Sequence, residues 1–155
     1  MRITVAAVGT RLPAWAEQAV QDYVGRFPRE FEVTLKQVRP EPRGQASLQH
    51  TLQSEQARLS AAVAGSGRVI ALDERGADWD TARLAHQIGR WRDASEHVSF
   101  LIGGPDGLSE PLKASAQLKL RLSSLTLPHA LARVVLVEQL YRAWSILANH
   151  PYHRA

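Results

Sequence analysis

The last six residues, His150-Pro151-Tyr152-His153-Arg154-Ala155, put two histidines, a tyrosine and an arginine into five positions. That is a poor composition for a frayed tail and a good one for handling an unstacked nucleobase. Tyr152 offers a ring to stack on, Arg154 a partner for a phosphate or carbonyl edge, and His150 or His153 a site to accept a proton. Upstream, Glu138 and Arg142 stand in the favourable i, i+4 order. On a helical wheel they share a narrow stripe with Ser145 and Asn149, and most of the remaining circumference is apolar: Val134, Val137, Leu140, Tyr141, Trp144 and Leu147. A helix apolar nearly all round is covered on several sides, by its own sheet and by a second chain. The acid–base pair on it either lines a pocket or is an exposed pair worth about 0.3–0.5 kcal/mol.

A second stretch with chemical potential is Ile102-Gly103-Gly104-Pro105-Asp106-Gly107, which follows the apolar run His97–Leu101. A strand, then glycines, then a helix is a common layout for a nucleotide. The glycines have the wrong spacing for a dinucleotide fingerprint, the Gly-Lys-Ser/Thr of a P-loop is absent, and Asp106 repels a phosphate. Two readings remain: a tight strand-to-helix turn, or a loop that lets a phosphate-free, nucleoside-like ligand approach the backbone closely.

These residues must be positioned by a frame of 155 residues, enough for one domain over residues 1–155 with a single sizeable core. Hydrophobic content of 45% and charged content of 22% suit a globular protein. With no cysteine, disulfides and thiolate metal sites are excluded, and no metal is expected. Neither a signal peptide nor a membrane-spanning run is evident, so a cytoplasmic protein is expected. The net charge of +4 is unevenly placed. Residues 1–107 are balanced, whereas the last third carries Lys113, Lys119, Arg121, Arg133, Arg142 and Arg154 against Glu110 and Glu138. That bias suits either a polyanionic partner or a merely solvated surface.

The elements alternate. Strands are expected at Ile3–Val8, Phe31–Val38, Arg68–Leu72 (ended by Asp73), His97–Ile102 and Lys119–Leu127. Helices are expected at Pro13–Val24, Ala46–Val63, Thr81–Trp91, Ser109–Ser115 and from Pro128 to about Asn149. Strand–helix repetition of this kind predicts an α/β fold: a parallel sheet with crossover helices, whose ligands gather at the carboxyl ends of the strands. Leu72-Asp73-Glu74, the glycine loop and Leu122–His129 occupy those ends.

LIGGPDGLS followed by LSSLTLPHALARVVLVEQLYRAWSILANHPYHR resembles the ribosomal large-subunit RNA pseudouridine N3-methyltransferase family, a small branch of the SPOUT methyltransferases. VAAVGT, Arg26-Phe27-Pro28 and LDERG extend the resemblance over essentially the whole chain. It implies a carboxyl-terminal trefoil knot, S-adenosylmethionine as cofactor, a homodimer, and a pseudouridine of 23S rRNA on an assembled ribosome as substrate. The family's cofactor contacts carry over to Leu72, Gly103, Leu122, Ser123, Ser124, Leu125, Thr126 and Leu127, to which Gly104 is added as the paired glycine. Two departures are visible: Asp106 stands where relatives often carry glutamate, and the loop Pro40–Gly44 is less basic than an RNA-contacting loop is expected to be.

The chemistry implied is an in-line methyl transfer that mainly requires alignment. The nucleophile, N3 of pseudouridine, is an imide nitrogen that must first lose its proton. On this reading His129, His153 or Glu138 accepts the proton, Arg142 and Arg154 stabilise the anion, and Tyr152 stacks on the base. The competing readings are a non-catalytic rRNA-binding module with a methyltransferase-like fold, and an α/β enzyme acting on a small nucleoside.

Overall fold

The computed structural model describes residues 1–154. Its strands are β1 (Arg2–Val8), β2 (Glu32–Val38), β3 (Arg68–Asp78), β4 (His97–Ile102) and β5 (Leu118–Arg121). The helices are α1 (Ala14–Gly25), α2 (Leu48–Ala62), α3 (Thr81–Asp93), α4 (Glu110–Ser115) and α5 (His129–Leu147), and a 3-10 turn, Pro151–Arg154, closes the chain. Local chemistry sets several of the boundaries. Ser47, Asp80 and Ser109 each accept a backbone N–H from three residues on, at 3.2, 2.7 and 3.3 Å, and so cap α2, α3 and α4. Pro13 and Pro128, with φ already near the helical value, precede α1 and α5 without side-chain caps.

All strand pairings are parallel, in the order β2-β1-β4-β3-β5. Successive residues of β1 point to opposite faces of the sheet. Ile3, Val5 and Ala7 join a core with Phe100, Leu84, Ile88, Trp91, Leu136 and Leu140, where α3 and α5 pack. Ala6 and Val8 join Leu59, Val63, Leu101, Leu108 and Leu112, where α2 and α4 pack. The parallel α/β layering expected from the alternation is therefore present. No helix of the described residues is long and apolar enough to cross a membrane.

Two strands depart from expectation. Asp73 does not end β3. Its Oδ1 accepts the Arg75 N–H at 2.8 Å, which throws residues 73–76 out as an excursion, and the chain then rejoins β5. Leu72 and Ala77 both pair with Leu120 across this bulge. Gly76 makes the return possible, because a Cβ there would lie 2.6 Å from the Leu120 backbone. The run Lys119–Leu127 is strand only as far as Arg121. β3 offers no partner beyond Asp78, and the Ser123 hydroxyl accepts the Leu125 N–H at 2.9 Å, bending the chain into a loop.

Candidate active site

Three segments meet at the bulge of β3 and the carboxyl ends of β4 and β5 and enclose a cavity of about 510 Å³. Leu72–Glu74, Ile102–Pro105 with Gly107, and Arg121–Ser123 with Leu125–His129 line it, and Ala132 closes the α5 side. All the residues expected to hold the cofactor are in this lining except Ser124.

The glycine loop is built by its own backbone. Gly107 N–H donates to the Gly104 carbonyl at 3.0 Å across Pro105 and Asp106, and Gly107 has φ +75°, a conformation that favours glycine. A Cβ on Gly103 would come within 2.4 Å of the Gly107 carbonyl carbon, so no side chain fits there. Gly104 differs: its missing side chain faces Val8, Arg43 and Glu55. Behind the loop, Arg43 is clamped between Glu55 (2.7 Å) and Asp106 (2.9 Å). Asp106 is thereby paired, and the one arginine of the Pro40–Gly44 loop, though exposed, is committed to two carboxylates of its own chain.

At the opposite rim, Asp73 accepts from Lys113 Nζ at 3.0 Å. Burial alone would raise the Asp73 pKa, but the Arg75 N–H and Lys113 outweigh it, so its carboxyl sits below the usual carboxylate range. Neither Lys113 nor Gly76 was singled out in the sequence. The Leu-Asp-x-x-Gly spacing was the available signal for Gly76; Lys113, 40 residues from its partner, left none.

The catalytic candidates divide into two groups. His129 lines the cavity, with both ring nitrogens engaged: Nδ1–H donates to the Gly103 carbonyl (3.0 Å), and Nε2 accepts from Arg133 Nε (2.9 Å). Burial, then the Arg133 charge, hold its pKa below the ordinary histidine value. Its lone pair is already taken, which argues against His129 as the general base.

The other candidates lie from the middle of α5 to beyond its carboxyl end. Nine residues separate His129 from Glu138, roughly 14 Å of helix at 1.5 Å per residue. Glu138 Oε1 accepts from Arg142 Nη2 (2.7 Å) and from the Tyr152 hydroxyl (3.0 Å), and Oε2 accepts from Gln139 (2.6 Å). The Tyr152 hydroxyl is also 3.1 Å from that of Tyr23. Burial first, then the Tyr23 and Glu138 hydrogen bonds, push the Tyr152 phenol well above its ordinary pKa, so it stays protonated at neutral pH. The Arg142 guanidinium lies 4.9 Å from the centre of the Tyr152 ring and Tyr141 packs edge-on to it, so one face of the expected stacking platform is occupied. His153 Nδ1 is buried and has no hydrogen-bond partner among the described residues. Arg154 is exposed and reaches Asn149 at 3.3 Å. Ser145 lies on the same stripe as Glu138 and Arg142 but is fully buried, and donates to the Arg142 carbonyl.

The basic bias of the last third is largely absorbed as well. Lys113, Arg121 and Arg142 are in ion pairs, and Arg133 is buried.

The family described as "Predicted SPOUT methyltransferase" matches residues 1–153. A protein of Polaromonas naphthalenivorans called ribosomal RNA large subunit methyltransferase H is 51% identical over 154 residues, covering 99% of each chain. Among solved structures, a methylase family protein of Haemophilus influenzae superposes with a TM-score of 0.61 at 12% identity, over 97% of this chain and 69% of the other. A methyltransferase of Legionella pneumophila, solved with S-adenosylmethionine bound, superposes with a TM-score of 0.52 at 12% identity, over 93% and 66%. The parallel layering, the cleft at the strand ends and the full-length match agree: the chain belongs to the SPOUT methyltransferase family, in the branch of the large-subunit rRNA methyltransferases H.

Proposed function

We propose that the protein transfers a methyl group from S-adenosylmethionine to N3 of a pseudouridine in 23S rRNA, on the assembled ribosome in the cytoplasm. The observation that carries this reading is the cleft. Its volume suits a cofactor-sized ligand, and its walls are mostly apolar side chains and loop backbone. Asp73 and Glu74 stand at the rim where a sulfonium or ammonium is welcome. No lysine lines it, and the arginine that does, Arg121, is paired with Asp78, which suits a nucleoside without phosphate. Leu72, Gly103, Gly104, Leu122, Ser123, Leu125, Thr126 and Leu127 would hold the cofactor, and Ser124 would support the loop from outside the lining. Bound there, S-adenosylmethionine supplies an electrophilic methyl group.

The remaining work is to place and deprotonate the base. We assign proton removal to His153, the candidate whose ring nitrogen has no partner among the described residues. Glu138 holds Arg142 and Tyr152 in place, Arg142 and Arg154 stabilise the imide anion, and Tyr152 offers its remaining face to the base.

Within one chain these groups stand well away from the cleft along α5. The reading therefore includes a homodimer in which the tail of one subunit serves the cleft of the other. Leu125, 76% exposed on the cleft loop, and the half-buried Leu131, Val134 and Val135 of α5 are apolar surface available to a second copy. Residues 1–155 act as one domain. The loop 122–128, passing from β5 to α5 beside the cleft, is where the trefoil knot of the fold would close.

Calorimetric titration with S-adenosylmethionine, paired with a chain ending at Pro151, tests this division. Intact cofactor binding with loss of rRNA methylation in the truncated chain is expected. Retained methylation contradicts the role of the tail. No cofactor binding by the full chain restores the non-catalytic rRNA-binding reading.

A further inference from the structure

Arg133 is 3% exposed, and no carboxylate of the described residues lies within 4.0 Å of it. A buried, unpaired cation is costly, and this one is held by neutral acceptors. Nη2 donates to the carbonyls of Val8 (3.0 Å) and Gly9 (2.7 Å) at the end of β1, while Nε donates to His129 Nε2 (2.9 Å). His129 Nδ1–H in turn donates to the Gly103 carbonyl in the cleft wall (3.0 Å). Gly9 is shaped for this arrangement. It has φ +119°, and a Cβ there would lie 3.0 Å from Arg133 Nη2 and 3.4 Å from His129 Nε2. Four hydrogen bonds thus tie the ends of β1 and β4 to the first turns of α5, and the one that joins Arg133 to His129 depends on the ring being neutral with its proton on Nδ1.

We propose that Arg133 and His129 are positioning residues that seat the Gly103 wall of the cofactor cleft, and that protonation of His129 unseats it and weakens cofactor binding in acid. The proposal rests on the cofactor reading of the cleft. A proton added to His129 must go on Nε2, where the Arg133 Nε–H already points. It would break that hydrogen bond and set two cations together. Of the groups facing His129, only the Gly103 carbonyl favours the cation, and burial and Arg133 from α5 outweigh it; Gly9 from β1 carries no charge. The nearest negative charge felt by Arg133 is Glu17 of α1, and Asp106 is occupied by Arg43.

The sign follows from the depressed pKa of the seated ring. A released imidazole protonates near its ordinary value of about 6.5, whereas the seated one resists to lower pH. The seat is therefore fully favoured above about 6.5 and loses ground as pH falls through that value.

The test combines imidazole nitrogen NMR of the cofactor-free protein with S-adenosylmethionine titrations at about pH 7.5 and about pH 5.5. It uses the full-length wild type, His129→Asn and Arg133→Met, with the remaining histidine signals reporting that each stays folded. Expected for the wild type is His129 as the Nδ1–H tautomer, still neutral where a free imidazole added as reference has titrated, with affinity falling about tenfold from the higher pH to the lower. The acid loss should vanish in His129→Asn, which keeps an N–H donor but takes no proton. In Arg133→Met the His129 titration should move up toward the ordinary range and the acid loss should shrink. A His129 that titrates together with the free imidazole reference while the cofactor binds overturns the proposal alone, as does an acid loss unchanged in both variants. A locked His129 with no cofactor binding at the higher pH overturns the cofactor reading, and the proposal with it.

Discussion

At the residue scale the glycine loop shows how a sequence pattern can be right for a different reason. Three glycines and a proline in six residues suggest backbone left bare for a ligand, and the loop does line the cleft. Yet Gly103 is required by the Gly107 backbone before any ligand enters, whereas Gly104 faces only the side chains of Val8, Arg43 and Glu55. The two positions should respond differently to the same change. Gly103→Ala drives a methyl group into backbone that cannot yield, and should cost about 1–3 kcal/mol and abolish cofactor binding. In Gly104→Ala the Cβ meets Val8 Cγ1 at 3.1 Å, a side-chain contact that can give, so cofactor affinity should stay within about threefold of wild type. Thermal unfolding and calorimetry of the two variants check this, and equal losses would contradict it. His129 was legible as a residue beside the cofactor run, but its commitment was not. Arg133 follows it by one helical turn, and that spacing alone does not reveal a donor aimed at Nε2.

At the scale of elements, the strand–helix alternation was readable because parallel strands buried on both faces are short apolar runs. β1, β4 and α3 begin within a residue of where hydrophobicity and capping put them. The two misjudged strands share a cause. Strand length here is set by a partner, and β5 borrows its partner from a bulged return of β3 that no local pattern announces. Gly76 carries that return. Gly76→Ala places a Cβ 2.6 Å from Leu120 backbone atoms, and should cost about 1–3 kcal/mol while shifting the Leu72 wall of the cleft. Lower thermal stability together with weaker S-adenosylmethionine binding is the expected pair of results. Normal binding in a destabilised protein would mean that the bulge does not set the cleft.

At the scale of the whole molecule, the chain separates what the reaction must bring together. The cleft lies at the start of α5, and the Glu138–Arg142–Tyr152 cluster with His153 runs from its middle to beyond its carboxyl end. The separation was hidden in the sequence, where both groups belong to one continuous run of residues. The charge excess gave a poor guide to an RNA surface because much of it is spent in ion pairs and in the buried Arg133. In the proposed homodimer, a second copy would present its tail to the first copy's cleft and so bring the two groups together. The most direct measurement is transfer of labelled methyl groups from S-adenosylmethionine to large ribosomal subunits, with the modified nucleoside of the 23S rRNA identified by mass spectrometry. The account predicts label on N3 of a single pseudouridine, lost when Tyr152 to Ala155 are removed. An rRNA left unlabelled by a protein that binds the cofactor, or labelled equally well by the truncated chain, would contradict it.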